Sequence, residues 1–465
     1  MKIVHIPFCF APDPVGGTEV YVDALAREQQ ARGLDVLVAA PGEKTLRYSE
    51  RGLRVRRFAT SSRLRDLRDL YGEGDTQACR EFAGILDDEA PDIIHLHAFT
   101  SGVSVRVMRE AQRRGIPVVF TYHTPTVSCV RGTLLRWGTV VCDGTLDLHA
   151  CARCSLHGLG AGQPASALLG GLHPNVGKLI GMLGRSGGPW TALRMTELVE
   201  LRHAAFRTLM REVDQTVVVC NWAAELLVRN GVPAHKITLS RHGLPRTWSN
   251  SAGPVHPPST TGRLRIAFLG RFDATKGPDL LVRALRGLPD APLEVHLYGV
   301  DQSAAARAYR VQVERLAGGD RRAKFYPPVP NERVIPLLHE YDLVAVPSRW
   351  LETGPLVVLE AFAAGVPVLG SDLGGIAELV EHGVNGLLVP ADSVESWQRV
   401  LQRFFDEPAL LERLRAGVQQ PRRMDVVARE MHALYSAALG PDRRGLVPLA
   451  VAEVLDASIS LKEST

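Results

Sequence analysis

Residues 343–368 read Leu343-Val344-Ala345-Val346-Pro347-Ser348-Arg349-Trp350-Leu351-Glu352-Thr353-Gly354-Pro355-Leu356-Val357-Val358-Leu359-Glu360-Ala361-Phe362-Ala363-Ala364-Gly365-Val366-Pro367-Val368. The first five residues form an apolar run too short for a helix, which predicts a buried strand. Pro355 suits a first helical turn, where its missing N–H costs nothing. The segment from Ala361 to Val368 is small and apolar, so the predicted helix is buried. Its start leaves the amides of Leu356 and Val357 at the positive end of the helix dipole, a place that suits phosphate. Glu360 lies over a turn further in. A buried carboxylate without a partner is costly, so ribose hydroxyls are a better reading for Glu360 than solvent. Glu352, at the tip of the loop, would face a sugar.

The same alternation extends to both sides. Leu264–Leu269, Leu293–Tyr298 and Leu343–Pro347 read as strands, with a helix over Lys276–Arg286. Between the first strand and that helix stands Gly270-Arg271-Phe272-Asp273-Ala274-Thr275-Lys276-Gly277. Arg271 as a planar fork and Lys276 as a point charge would suit a diphosphate. Taken alone, a solvated loop with two stray cations is the commoner case.

In the first half Lys2–Phe8, Asp35–Ala40, Asp92–His97, Pro117–Tyr122 and Thr216–Cys220 read as strands, with helices over Gly17–Arg32 and Val103–Arg114. Short apolar runs separated by amphipathic helices predict parallel sheets covered on both faces. Gly16 and Gly17 stand between the first strand and first helix, where glycine lets a ligand approach the backbone. The spacing is not Gly-x-Gly-x-x-Gly, so a dinucleotide fingerprint is absent. The expected fold class is α/β: two doubly wound, Rossmann-like domains facing each other across a cleft. Residues 1–250 form the first domain, with an insertion at about 125–195. A Pro/Ser/Thr/Gly-rich linker covers 251–262, and 263–424 form the second domain. Residues 425–465 are a helix and a partly mobile tail, expected to pack back on the first domain.

The 465 residues carry a net charge of only +4, which does not suggest a nucleic-acid partner. Pro7, Pro12 and Asp13 interrupt the apolar N-terminus, so a first strand is expected there in place of a leader. With no run of about eighteen apolar residues, the expected location is the cytoplasm. Four of the seven cysteines, Cys129, Cys142, Cys151 and Cys154, cluster in the insertion. Cys151-Ala152-Arg153-Cys154 has the spacing of a zinc knuckle, and the four are candidate ligands for a structural zinc, against a set of reduced thiols.

The two glutamates with seven residues between them, Ala361–Val368, Ser371-Asp372-Leu373-Gly374-Gly375-Ile376-Ala377-Glu378 and Asn385-Gly386-Leu387-Leu388-Val389-Pro390 resemble the retaining GT-B glycosyltransferases of family 4. The Gly-Arg…Lys-Gly segment and the N-terminal Gly-Gly match in order and spacing, so the resemblance spans about residues 1–440. It implies that Arg271 and Lys276 neutralise the diphosphate of a nucleoside-diphosphate sugar. Glu360 would bind the ribose and Glu352 the transferred sugar, while the backbone near Gly16 and Gly17 approaches the donor phosphate. His123, after the strand ending Thr121-Tyr122, would lie beside the transferred sugar.

The resemblance further implies same-face attack by an acceptor hydroxyl and no cofactor for catalysis. The setting it implies is polysaccharide or glycolipid assembly, with a glycan or lipid-linked acceptor. Two departures bear on the donor: Gly354-Pro355 stands where the family often has Phe-Gly, and Pro327 where it has glycine. Residues 165–195, glycine-rich and moderately apolar, read first as a packed insertion. A flexible acceptor loop or a peripheral membrane contact, at the inner face of the membrane, are the alternatives. A nucleotide-sugar epimerase of the same fold, or an inactive sugar-nucleotide-binding partner, are the competing functions.

Overall fold

The computed structural model describes residues 1–13, 16–62, 66–185, 187–245, 262–301 and 303–440. All but Gly262 of the expected linker lies outside these residues, as does the tail beyond 440. The chain divides into two compact units, Met1–Arg241 with the residues from Val427, and His242–Val426.

The first unit is built on β1 (Lys2–Ile6), β2 (Asp35–Gly42), β3 (Leu46–Glu50), β4 (Leu53–Ala59), β5 (Ile93–Leu96), β6 (Val118–Tyr122), β9 (Gln215–Val218) and β10 (Ile237–Leu239). They join in the order β10-β9-β6-β5-β1-β2-β4-β3. Every pair is parallel except the β3–β4 edge hairpin. Around the sheet run α1 (Gly17–Ala31), α2 (Leu67–Tyr71), α3 (Thr76–Glu89) and α4 (Val105–Arg113). The insertion holds the hairpin β7 (Leu135–Arg136) and β8 (Val140–Val141), then α5 (Leu148–Gly158), α6 (Gln163–Leu169), α7 (Pro174–Met182) and α8 (Gly188–Leu193). Residues 165–195 are thus short helices, not a loop, and α5 and α7 pack on the long α9 (Met195–Glu212). After α9 comes α10 (Asn221–Arg229).

The second unit carries β11 (Leu264–Arg271), β12 (Leu293–Val300), β13 (Ala323–Tyr326), β14 (Leu343–Val346), β15 (Val368–Ser371) and β16 (Gly386–Val389). All pairs are parallel, in the order β13-β12-β11-β14-β15-β16. Counted within the unit this is 3-2-1-4-5-6, the doubly wound order. Alternate residues feed opposite faces, as the pleat requires. Ile266, Phe268, Leu343 and Ala345 join one core cluster, and Ala267, Val344 and Val346 the other. The first cluster is closed by α11 (Pro278–Arg286), α12 (Ala304–Ala317), α16 (Val394–Asp406) and α17 (Leu410–Gly417). The second is closed by α13 (Asn331–Leu338), α14 (Leu356–Ala363) and α15 (Gly374–Leu379).

The last helix, α18 (Met424–Leu439), belongs to the first unit from Val427 onward. There the Tyr435 hydroxyl lies 2.5 Å from His95 Nδ1. No helix among the described residues is long and apolar enough to cross a membrane.

Candidate active site

In the second sheet the strand order reverses between β11 and β14, which opens a crevice beyond their carboxyl ends. A pocket of about 150 Å³ lies there, lined by Lys276, Ser348, Glu352, Pro355, Leu356 and Val357 among others. Two loops are locked together to form it. Asp273 accepts from the Thr275 amide at 2.8 Å and its hydroxyl at 2.6 Å, which folds a 3-10 turn at Ala274–Lys276. The helix expected from Lys276 therefore starts later, at Pro278, because Gly277 is left-handed at φ +69°. A Cβ on Gly277 would stand 2.1 Å from the Pro347 carbonyl oxygen, so only glycine lets the loops close. Arg349 completes the lock. Its amide donates to the Thr275 carbonyl at 2.7 Å, and its guanidinium meets Asp279 at 2.6 Å.

Lys276 and Glu352, 76 residues apart, form an ion pair at 2.6 Å. The Ser348 hydroxyl and the Trp350 indole N–H donate to the same Glu352 oxygen, each at 2.8 Å. Burial alone would raise the Glu352 pKa, yet the Lys276 charge and these hydrogen bonds outweigh it and hold the carboxyl below its ordinary value. Glu352 is thus an anion in a buried place. Gly374 and Gly375 let the next loop close on it, with the Gly375 amide donating to the Glu352 carbonyl at 2.7 Å.

Pro355 is extended, at ψ 102°, and caps α14 instead of opening it, so Leu356 is the first helical residue. The amides of Leu356 and Val357 find no backbone acceptor among the described residues. Glu360 shares their face of the helix three and four positions on. It is 8% exposed, and among the described residues no group hydrogen-bonds to its carboxyl. Burial pushes it up to about 7. Arg271 is exposed and forms no ion pair among the described residues. Gly354 closes the loop against His242, whose ring nitrogen lies 3.1 Å from its carbonyl oxygen. A Cβ at Gly354 would come within 2.4 Å of that ring.

Gly16, Gly17 and His123 belong to the first unit. The Gly16 amide is taken up by the buried Glu19 carboxylate at 2.8 Å, while the amides of Gly17 and Thr18 have no backbone acceptor among the described residues. His123 packs edge-on against Tyr21 of α1 with ring centroids 4.8 Å apart. Behind it runs a buried chain. His123 Nε2 is 3.0 Å from His97 Nδ1, and His97 Nε2 is 2.9 Å from His5 Nδ1. His5 Nε2 lies 2.7 Å from Gln29 Oε1.

Because the amide oxygen of Gln29 can only accept, His5 donates to it, His97 donates to His5 and His123 donates to His97. Burial drives His5 down to about 4 and His97 well below the ordinary value, so these two rings are neutral and His97 presents Nδ1 to His123 as an acceptor. One ring nitrogen from each of His5, His95 and His97 lies within 4.8 Å of the other two, and the three rings have six ring nitrogens in all. All six are engaged by neighbouring protein groups. This network escaped the sequence reading. Its only trace was the placement of His95 and His97 two apart, on one face of a predicted strand. Arg349, Gly277 and His242 were missed too, since each acts only through a loop distant in the chain.

Cys129, Cys142, Cys151 and Cys154 are free thiols around one pocket of the insertion. No three of their sulfurs approach within 4.8 Å, wider than the spacing a single zinc imposes.

Two doubly wound units, one with anion-accepting groups at its switch point, are the make-up of a GT-B glycosyltransferase. Comparison with known proteins agrees. The profile described as "Glycosyl transferase 4-like domain" matches residues 16–243, and "Glycosyl transferases group 1" matches residues 256–420. The chain belongs to this glycosyltransferase family and is a transferase. A D-inositol 3-phosphate glycosyltransferase of Nocardia farcinica is 28% identical over 416 residues, covering 86% of this chain and 79% of that protein. One of Jonesia denitrificans is 27% identical over 443 residues, covering 90% and 91%. Among solved structures, sucrose-phosphate synthase from Thermosynechococcus elongatus matches with a TM-score of 0.63 at 20% identity, covering 94% of this chain and 98% of that one. Anabaena HepE in complex with UDP-glucose matches at 0.62 and 16%, covering 94% and 99%. At these identities the structures establish the fold.

Proposed function

We propose that the chain moves a sugar from a nucleoside-diphosphate sugar to an acceptor hydroxyl with retention of configuration and without a catalytic metal. The observation that carries this reading is the pocket between β11 and β14. Its lining offers the Leu356 and Val357 amides, and outside that lining stand Arg271, at the end of β11, and the buried Glu360, further along α14, whose side chains have no partner among the described residues. A nucleotide supplies what these groups lack. Its diphosphate accepts from the Leu356 and Val357 amides and from Arg271, and its ribose hydroxyls donate to Glu360. Lys276 adds its remaining donors to the phosphate while one of them holds Glu352. Charge that develops on the leaving diphosphate then meets fixed donors, which is where most of the rate enhancement would arise. Glu352 and His123 would contact the transferred sugar, with Gly16 and Gly17 allowing close backbone approach. The acceptor hydroxyl attacks from the face the diphosphate leaves, and the leaving phosphate takes its proton.

Anabaena HepE was solved with UDP-glucose, and starch synthase IV of Arabidopsis thaliana with ADP and acarbose. The curated relatives are named for an inositol phosphate. These give starting points: a uridine or adenosine nucleotide for the donor and a polyol phosphate, glycan or lipid-linked sugar for the acceptor. The enzyme would work in the cytoplasm, with the exposed apolar residues of α6–α8, such as Leu168 and Met182, available for peripheral membrane contact. Thermal shift against UDP, GDP and ADP, each with EDTA, tests the donor site. Saturation at a hundred times the dissociation constant adds roughly 2.7 kcal/mol, a shift of several degrees. A folded protein that responds to none of them refutes the site. Product formed without any acceptor would turn the reading to an epimerase.

A further inference from the structure

The insertion after His123 contains a second pocket, lined by its four cysteines. Cys129 follows the 3-10 turn Pro125–Val127, and its amide returns to the Pro125 carbonyl at 2.8 Å. Cys142 follows β8, and its amide closes the hairpin onto the Leu134 carbonyl at 2.8 Å. Cys151 and Cys154 stand three apart on one face of α5. All four line a single pocket of about 310 Å³. The spacing of the sulfurs separates the candidate occupants. Four thiolates on one zinc, each at about 2.3 Å, would sit roughly 3.8 Å apart. Here no three come within 4.8 Å. A [4Fe–4S] cluster takes one thiolate at each corner iron, so its ligands stand farther apart around a filled centre.

Two arginines and two aspartates share the lining. Arg131 and Arg136 line the pocket, with the Arg131 guanidinium 3.7 Å from the Cys154 sulfur. The Gly144 amide donates to the Cys142 sulfur, as amides do around bound thiolates. Gly144 is required there, since a Cβ would stand 2.4 Å from Leu226. Of the two acids at the rim, Asp143 accepts from Thr145 and from the Cys142 thiol, whose sulfur stands 3.8 Å from its Oδ1, and Asp147 caps α5. One local apolar cluster among the described residues is small, with Ala152, Leu156, Met195 and Val199 buried in it. Leu134 and Trp137 are held in the left-handed region at φ 51° and 58°. A subdomain of this kind needs a staple.

We propose that Cys129, Cys142, Cys151 and Cys154 ligate a [4Fe–4S] cluster that fastens the loop following His123 to the insertion. The role is structural, and it stands independently of the donor and acceptor. The full chain, expressed with added iron and purified without oxygen, is assayed for iron, acid-labile sulfide and zinc, and by visible absorbance. About four irons and four sulfides per chain are expected. One zinc without sulfide overturns the cluster, and so does a chain that stays metal-free after reconstitution with iron and sulfide. Cys151→Ser and Cys142→Ser should lose most of the iron while Cys79→Ser keeps it. Full iron in both ligand variants would overturn the assignment of ligands.

Discussion

Glu360 gives the sharpest test of the donor site, because its charge state links folding, pH and nucleotide binding. Burial raises its pKa from 4.5, the ordinary value, to about 7. The folded protein therefore holds a proton that the unfolded chain releases between those values. Stability from the neutral carboxyl is complete below pH 4.5 and is lost as pH rises to 7 and beyond. With a shift of about 2.5 units, the loss is roughly 3 kcal/mol. A Glu360→Gln chain cannot ionise there, so this part of its pH dependence should vanish. Urea denaturation from pH 5 to 8 measures the difference between the two chains.

Nucleotide binding should do the reverse. Ribose hydroxyls donate to the ionised carboxylate, so a bound nucleotide lowers the pKa and expels the proton. At pH 6.5 a carboxyl of pKa about 7 is about three-quarters protonated, so binding should release up to about 0.75 proton. Calorimetry of nucleotide binding in buffers of different ionisation enthalpy reads that number directly. The Glu360→Gln chain should release none and bind at least tenfold more weakly, the expected loss for a hydrogen bond to a charged group of about 1.5–3 kcal/mol. Equal affinity in the two chains, with no proton released by either, would refute the ribose role.

Three further outcomes follow from the same pocket. Lys276→Ala should lower kcat/KM by roughly 30-fold to several thousand-fold, since loss of one partner of a desolvated pair costs about 2–5 kcal/mol. Adding Glu352→Gln should restore much of the melting temperature but not the turnover, and near-normal turnover of Lys276→Ala would remove Lys276 from the diphosphate site. Gly277→Ala meets both a left-handed backbone and the Pro347 carbonyl, so a loss of at least 1–3 kcal/mol is expected; an unchanged urea midpoint would contradict the loop lock. Transfer should survive EDTA, and a tenfold loss restored by a divalent cation would contradict metal-independent catalysis.

The strand–loop–helix units were legible because buried parallel strands appear as unbroken apolar runs, and Leu343–Val346 and Leu264–Leu269 are such runs. Glu360 was legible for a related reason: an acid inside Leu356–Ala363, where nearly every neighbour is apolar, has nowhere to go but inward. The helices α6 to α8 were not legible. Each has nine residues or fewer, with glycine or proline within or beside it, so local propensity argues against them. They rest instead on the packing of the insertion around α9, which no window of the sequence contains. The histidine chain failed to appear for another reason. Register between β1 and β5 puts His5 opposite His95, and that pairing exists only in the sheet.

Lys276 and Glu352 show where residue-by-residue reading stops. In the sequence they carry separate tasks, a cation for phosphate and an acid for sugar. In the fold the lysine holds the acid ionised, against a burial that would otherwise neutralise it. The charge of the pair is therefore nearly cancelled before any ligand arrives. On the proposed reading, the net positive attraction for a diphosphate would come largely from Arg271 and from the α14 amides, neither of which has a protein partner among the described residues. A ligand that carries two phosphates would engage both at once, while Lys276 adds its remaining donors to the phosphate and keeps Glu352 ionised for the sugar. An inorganic phosphate would engage only one, so it should bind much more weakly than a nucleoside diphosphate.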